Sequence, residues 1–331
     1  MANYPQLDDC SGVWTLKEVN NAVMGGYWRE VGSRALFGGG DGDTVENFID
    51  YITIATTGDA TDFGDLTAAR PGSQGNSSHT RALFGGGYTP GAIATIDYIT
   101  MSSAGNGADF GDMTAARYQA GHAANSIRCV FGGGGGSRKT IDYVTIASVG
   151  DAVDFGDLTV DKESVGAMNS TTRGIWAGGY PYTAVIDSVE LATTGNAVDF
   201  GDAVIARFTH GATCNSTRGI WGGGSTPGSP SLATSIEYIT MASRGNSITF
   251  GDLSVGRDRA MAATSNSVRG IFAGGIVSPT VQNVIDYVII ANGGTAADFG
   301  ALTATRKDMG MASQSHGGLN DGYRGNPRIG A

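Results

Sequence analysis

Apolar residues in this chain fall into short runs broken by glycine or by Asn/Ser clusters, and the runs return in a fixed order. One copy reads Arg81-Ala-Leu-Phe-Gly-Gly-Gly87, then Ile96-Asp-Tyr-Ile-Thr100, then Ala108-Asp-Phe-Gly-Asp-Met-Thr114, then Gly121-His-Ala-Ala-Asn-Ser126. Each run is too short for an ordinary helix and is bounded by turn residues, so each predicts a strand, four to a unit. The leading arginines are Arg34, Arg81, Arg128, Arg173, Arg218 and Arg269, at spacings of 47, 47, 45, 45 and 51. A period in that range marks stacked or radially arranged units.

The Ile-Asp strand is apolar on both faces, with Ile96, Tyr98 and Thr100 on one side and Ile99 and Met101 on the other. A sheet with one wet face would alternate more cleanly, so each sheet is expected to pack against a neighbour on either side. The small-residue strand (Gly121, Ala123, Ala124; Gly166, Ala167; Gly211, Ala212) fits the crowded position around an axis. A parallel β-solenoid competes, but its turns take about 20–30 residues and need no four strands per unit. The expected fold is therefore all-β: a six-bladed β-propeller of four-stranded blades over residues 34–316, with a C-terminal tail over 317–331.

The first repeat begins at its second strand, and the last ends with an extra small-residue copy, Met309-Gly-Met-Ala-Ser-Gln-Ser-His316. Ring closure is expected to place that copy in blade 1, which removes exposed sheet edges. The alternative takes the missing strand from Tyr27–Ser33. Within the N-terminal extension, residues 1–33, apolar Val13, Leu16, Val19, Val23 and Met24 recur at spacings of three and four, predicting a short amphipathic helix stopped by Gly25-Gly26. Such a helix needs a surface, either the propeller itself or a larger assembly.

Composition narrows the classes. Glycine is 54 of 331 residues, about twice average usage. No Gly-X-Y triplet persists, which excludes collagen. A net charge of −10 argues against a nucleic-acid partner, which needs a basic stripe. Three cysteines, Cys10, Cys129 and Cys214, form neither a disulfide framework nor a zinc pattern. No apolar segment approaches 18 residues, so membrane insertion is not expected, and Met1–Asp9 shows no secretory signal.

Candidate chemistry is sparse. The phrase Asp59-x-x-Asp62-Phe-Gly-Asp65 recurs and offers oxygen ligands, but Thr249 and Ala301 break it in later repeats. Turn formation is the better reading, with incidental calcium the alternative. His79, His122, His210 and His316 fall in or beside the small-residue strands at different offsets, which forms no common ring. The six repeated arginines are expected to pair with Asp62 and its counterparts around the ring. No nucleophile elbow, phosphate loop or catalytic carboxylate pair is present. The expectation is a non-enzymatic protein with no cofactor and no bound metal.

The repeats differ most in the loop between the di-glycine and the Ile-Asp strand. In an up-and-down blade that loop shares a face with the connection into the next small-residue strand. Candidate binding residues on this variable face are Asp41, Asp43, Tyr88, Tyr118, Arg138, Lys139, Tyr180, Tyr182 and Phe208. Loops on a rigid scaffold are where binding is usually built, and aromatic faces suit sugars and proteins alike. Neutral drift in loop length is the plain alternative.

Two resemblances add to this reading. The di-glycines (Gly38-Gly39, Gly85-Gly86, Gly132-Gly133, Gly178-Gly179, Gly222-Gly223 or the next pair, Gly274-Gly275) and the tyrosines (Tyr51, Tyr98, Tyr143, Tyr238, Tyr287) make each unit resemble a Kelch repeat. Ser188 replaces the tyrosine once, and phenylalanine (Phe63, Phe110, Phe155, Phe200, Phe250, Phe299) stands for the Kelch tryptophan. The wording FGGG…IDYITIAT with DFGDLT, and Gly12-Val-Trp-Thr-Leu-Lys-Glu, is similar to kelch-like structural and tail-fibre proteins of tailed, especially marine, bacteriophages. That resemblance implies a virion component with other virion proteins as partners, and a tail or fibre part contacting a host surface glycan or protein. A capsid decoration or tail accessory without receptor role, or a Kelch-type protein–protein adaptor, remain alternatives.

Overall fold

The computed structural model describes residues 34–136, 139–228, 232–259 and 262–319. The expected N-terminal helix and the alternative closing strand at Tyr27–Ser33 lie outside them. The described chain is all-β and contains no helix among those residues. Six four-stranded antiparallel sheets follow one another around an axis. Blade 2 shows the pattern: inner strand Gln74–Ser77, second strand Arg81–Gly85, third strand Thr95–Thr100 and outer strand Ala108–Asp112. Blade 1 is built from both ends of the ring. Gly310–Ser313 is its inner strand, paired antiparallel with Arg34–Gly38, with Ala35 opposite Ser313 and Gly38 opposite Gly310. The C-terminal small-residue copy thus closes the propeller.

The core lies between blades. Each of six buried clusters joins the forward face of one blade to the rear face of the next; Leu83, Ile96 and Phe110 of blade 2 pack with Ala124, Phe131 and Val144 of blade 3. The second strand contributes one large aromatic to every junction, and Phe37, Phe84, Phe131, Trp176, Trp221 and Phe272 are all fully buried. Each such ring is worth about 1.5–3 kcal/mol against exposure. The apolar character of both faces of the third strand follows from this wedge packing.

Outer strands carry a β-bulge in all six blades, at the Phe of Asp-Phe-Gly, or of Thr249-Phe250-Gly251 in blade 5. The extra residue turns Phe110 onto the face of Tyr98, ring centroids 6.1 Å apart and edge-on. The following glycine is required twice over. Gly111 has φ +142°, and a Cβ there would stand 2.5 Å from the Gly150 carbonyl oxygen of the next blade. The neighbouring Asx residues reach across the same seam, so that the Asp112 amide donates to Asp151 Oδ1 and the Asp65 amide to Asn106 Oδ1, both at 3.0 Å. The repeated acidic phrase stitches blade to blade.

The six repeated arginines do not pair with Asp62 and its counterparts, contrary to expectation. Arg81 stacks on Tyr98 of its own blade, 4.6 Å from the ring centroid, and donates to the Ile146 carbonyl of the next blade at 2.8 Å. Arg34, Arg128, Arg173, Arg218 and Arg269 likewise donate to Met101, Leu191, Met241, Ile290 and Ile54 carbonyls. The reason is strand parity. Arg81 shares a face with Tyr98, whereas Asp109 lies opposite Asp97 and so on the other face of the sheet.

A different set of cations makes the ring of ion pairs. Arg70, Arg117, Lys162, Arg207, Arg257 and Arg306 sit in the linkers between blades and meet Asp97, Asp142, Asp187, Glu237, Asp286 and Asp50 on the third strand of the following blade. Every one of these side chains is at most 1% exposed. In blade 2, Asp97 also accepts from the Thr67 amide at 2.9 Å and hydroxyl at 2.7 Å, while Arg70 donates to the Phe84 carbonyl at 3.3 Å. Burial pushes the Arg70, Arg207, Arg257 and Arg306 pKa values down, and for each the adjoining carboxylate opposes it.

One junction departs from the pattern and repairs itself. Val204 stands where the others have Thr or Ser, and so offers no hydroxyl. There the carboxylate is the longer Glu237, and Ser247 supplies the missing hydroxyl, donating to Glu237 Oε2 at 2.5 Å and accepting from the Val204 amide at 2.9 Å. After three coordinated changes the clamp carboxylate still accepts from a backbone amide, a hydroxyl and the linker cation.

Candidate functional site

The loop face is assembled from two chain segments per junction. The loop between second and third strands lies beside the linker that leaves the same blade or enters it, through bridges such as Tyr118–Gly135, Glu163–Tyr180, Phe208–Ser225 and Asp258–Ile276. The expected shared face is therefore present. Tyr88 meets Tyr118 edge-on at 5.6 Å. Tyr180 and Tyr182 both meet Phe208, at 5.4 and 5.0 Å. The exposed members are Tyr88 (48%), Tyr180 (42%) and Tyr182 (39%). The Tyr182 hydroxyl lies 3.1 Å from that of Ser225 and donates to the Thr226 carbonyl at 3.3 Å, which anchors the ring. Two pre-paired aromatic clusters thus stand on this face, one over blades 2 and 3, the other over blades 4 and 5.

The charged candidates behave differently. Asp41 is bound to Lys307 by an ion pair and a backbone bridge that ties the first loop to the last linker. Asp43 and Lys139 are exposed on the face. Arg138 lies outside the described residues.

Sequence reasoning missed a further feature, a ring of backbone around the axial opening. Two residues after each clamp cation come Gly72, Gln119, Ser164, Thr209, Arg259 and Asp308, all with φ between +51° and +71°. Gln119 donates its amide to Gly72 O, Ser164 to Gln119 O, Thr209 to Ser164 O, Asp308 to Arg259 O and Gly72 to Asp308 O, at 2.7–3.2 Å. Left-handed backbone at five non-glycine residues is costly and is held by this run of hydrogen bonds, from Arg259 through Asp308, Gly72, Gln119 and Ser164 to Thr209. Side chains continue it: Gln119 Nε2 donates to Asp308 Oδ1 at 2.8 Å, and Ser164 donates to Gln119 Oε1 at 2.6 Å. Burial pushes the Asp308 pKa up to about 6, against the Gln119 hydrogen bond and the nearby Lys307 and Arg259 charges. The dissimilar residue types at this position hid it; only their constant offset from the cation would have revealed it.

His122 and His210 are buried between blades, His122 edge-on to Phe131 at 4.7 Å. Burial, with Arg117 beside His122 and with Arg207 and Lys162 near His210, lowers both pKa values to about 3, so both rings are neutral at ordinary pH. At the opposite, uniform face the chain after the closing strand turns across the axis. His316 Nε2 lies 2.7 Å from the Ser77 carbonyl and Nδ1 lies 3.0 Å from Asn169 Nδ2, while the Gly317 amide donates to Cys214 O. Leu319 is buried there. Among the described residues, 314–319 therefore stopper the uniform end of the propeller, and no such segment crosses the loop face.

No protein-family model matches the chain, and no curated protein matches it either.

Proposed function

We propose that this chain is a non-enzymatic, Kelch-like propeller of a tailed-bacteriophage particle, a tail or fibre component that engages the host surface through its variable loop face. The carrying observation is the asymmetry of the two ends. The uniform face is spent on blade-to-blade contacts and is stoppered, whereas the loop face presents the Tyr88–Tyr118 and Tyr180–Phe208–Tyr182 clusters on loops that differ in every blade. Exposed aromatic rings with adjoining hydroxyls suit the flat faces and polar edges of sugar rings. The repeated titratable groups support a binding role rather than catalysis, because the clamp cations and carboxylates are consumed in holding junctions together. The virion assignment rests on the wording of the repeats.

The test is binding of the purified protein to intact host-type cells and to envelope glycans, alongside Tyr182→Ala and Phe208→Ala. At least tenfold weaker binding by either variant, at unchanged melting temperature, is expected. Binding that is absent in the parent, or equal in folded variants, overturns the reading.

A further inference from the structure

Asparagine followed by glycine occurs twice in the chain, at Asn106-Gly107 and at Asn292-Gly293. Both pairs lie in turns between a third and an outer strand, after Thr95–Thr100 in blade 2 and after Val284–Ile289 in blade 6. Both asparagines are exposed. In such a pair the carboxamide is open to attack by the next backbone nitrogen, because glycine carries no Cβ to hinder the approach. Residue type and exposure treat the two sites alike, and only their hydrogen bonds separate them.

Asn106 is tied into the seam between blades 1 and 2. Its Oδ1 accepts from the Asp65 amide at 3.0 Å, and the Gly107 amide donates to the Asp65 carbonyl at 2.7 Å. Both groups that would have to meet are thus held by the neighbouring blade. In blade 6 the pair falls elsewhere in the turn. Asn292 stands where the other blades have Thr56, Ser103, Ser148, Thr193 and Ser243, and Thr295 takes the seam position of Asn106. The Asn292 amide donates to the Ile289 carbonyl at 3.1 Å, and the Gly294 amide to the Phe250 carbonyl of blade 5 at 2.9 Å. Between those two anchors, neither the Gly293 amide nor the Asn292 side chain makes a hydrogen bond among the described residues. Gly293 also has φ +61°, unlike its counterparts Thr57, Ala104, Val149, Thr194 and Arg244.

We propose that Asn292 is a site of spontaneous deamidation, while Asn106 is protected by its seam. The Gly293 nitrogen attacks Asn292 Cγ; that C–N bond forms and the Cγ–Nδ2 bond breaks. The side-chain nitrogen departs as ammonia, taking with it the proton that the Gly293 nitrogen gives up, and a five-membered succinimide remains. Water then cleaves one of the two ring bonds to nitrogen. Cleavage at Cγ gives aspartate. Cleavage at the main-chain carbonyl gives isoaspartate, whose backbone runs through Cγ and is longer by one methylene. Either product adds a carboxylate to a turn on the uniform face. The longer backbone falls between the Asn292 and Gly294 anchors, so the Gly294–Phe250 contact of blades 5 and 6 is the one it strains. The site is at the end away from the variable loops and is independent of the host-surface reading.

The experiment ages the full chain in warm, mildly alkaline buffer, folded or unfolded in guanidinium chloride. Peptide mapping with electron-transfer fragmentation then follows each asparagine and distinguishes aspartate from isoaspartate. In the folded protein, conversion at Asn292 is expected to be at least tenfold faster than at Asn106, where two hydrogen bonds must first be given up. Both products are expected at position 292. In guanidinium the two rates should come within about twofold, since only the fold sets them apart. Asn292→Ser, which installs the residue of blades 2, 3 and 5, should abolish the fast phase of ammonia release. Equal rates at the two sites in the folded protein, a faster Asn106, no isoaspartate at position 292, or a tenfold difference that persists in guanidinium overturns the proposal.

Discussion

Removing the carboxylate of Asp97 tests the buried clamps most directly. Asp97 and Arg70 are both fully buried, their closest atoms 3.0 Å apart, and Asp97 also holds the Thr67 amide and hydroxyl. Asp97→Ala leaves a guanidinium in an apolar junction with the Phe84 carbonyl as its acceptor, and leaves the Thr67 amide unpaired. Breaking one partner of a buried pair costs about 3–5 kcal/mol, which for a domain of this size lowers the melting temperature by about 6–10 °C. Replacing both partners, as Arg70→Met with Asp97→Leu, leaves no charge stranded and should cost well under the sum of the single changes. The exposed pair is the internal control. Arg173 and Glu190 are 21% and 56% exposed, so Glu190→Ala should cost no more than about 1 kcal/mol. Urea titration and calorimetry of these three variants and of Arg70→Met and Asp97→Leu singly provide the measurement. A loss below about 1 kcal/mol for Asp97→Ala, or an additive double variant, would refute the view that the clamps hold the junctions by mutual satisfaction of buried charge.

Other outcomes follow from the same geometry. Truncation after Thr305 removes the closing strand and should abolish a single cooperative unfolding transition; a sharp transition in the shortened chain would contradict strand closure. Asp308 sits with its pKa raised from 3.8 to about 6, so its contribution is fully present below pH 4 and is lost as pH rises through 6. Asp308→Asn should therefore stabilise by about 3 kcal/mol at pH 7.5 and by nothing near pH 4, and equal effects at both values would exclude the burial argument. Gly121→Ala would place a methyl 2.5 Å from Trp176 Cδ1, and thermal denaturation should show a loss of about 1–3 kcal/mol.

Much of this architecture was legible from the repeats. Arg81–Phe84, Ile96–Thr100 and the small-residue run from Gly121 all became strands, because glycine and Asn/Ser bounded them, and the surplus run at Met309–Ser313 foretold closure. The pairing of charges was not legible. Arg81 and Arg117 both recur in the repeats, as do Asp97 and Asp109, so spacing alone leaves four pairings open. The bulge at Phe110 decides between them by changing the parity of the outer strand, and a bulge leaves no mark beyond the glycine after it. The axial ring was hidden for another reason. Gln119, Ser164, Thr209, Arg259 and Asp308 share a backbone conformation rather than a chemistry, and only Gly72 has the residue type that usually signals it. On the loop face, Tyr118 and Phe208 were found through their placement in linkers, but their partnership with Tyr88, Tyr180 and Tyr182 needed the structure.

Because the inner strand of blade 1 is Gly310–Ser313, the strands Arg34–Gly38, Phe48–Thr53 and Thr61–Asp65 wait for nearly the whole propeller to be synthesised before they gain their fourth. Until then the growing arc exposes two sticky flanks, and the last linker, with Arg306 bound for Asp50 and Lys307 for Asp41, acts as the clasp. Once fastened, the ring has no preferred starting point, and a chain rewired to begin at any other loop should settle into the same shape.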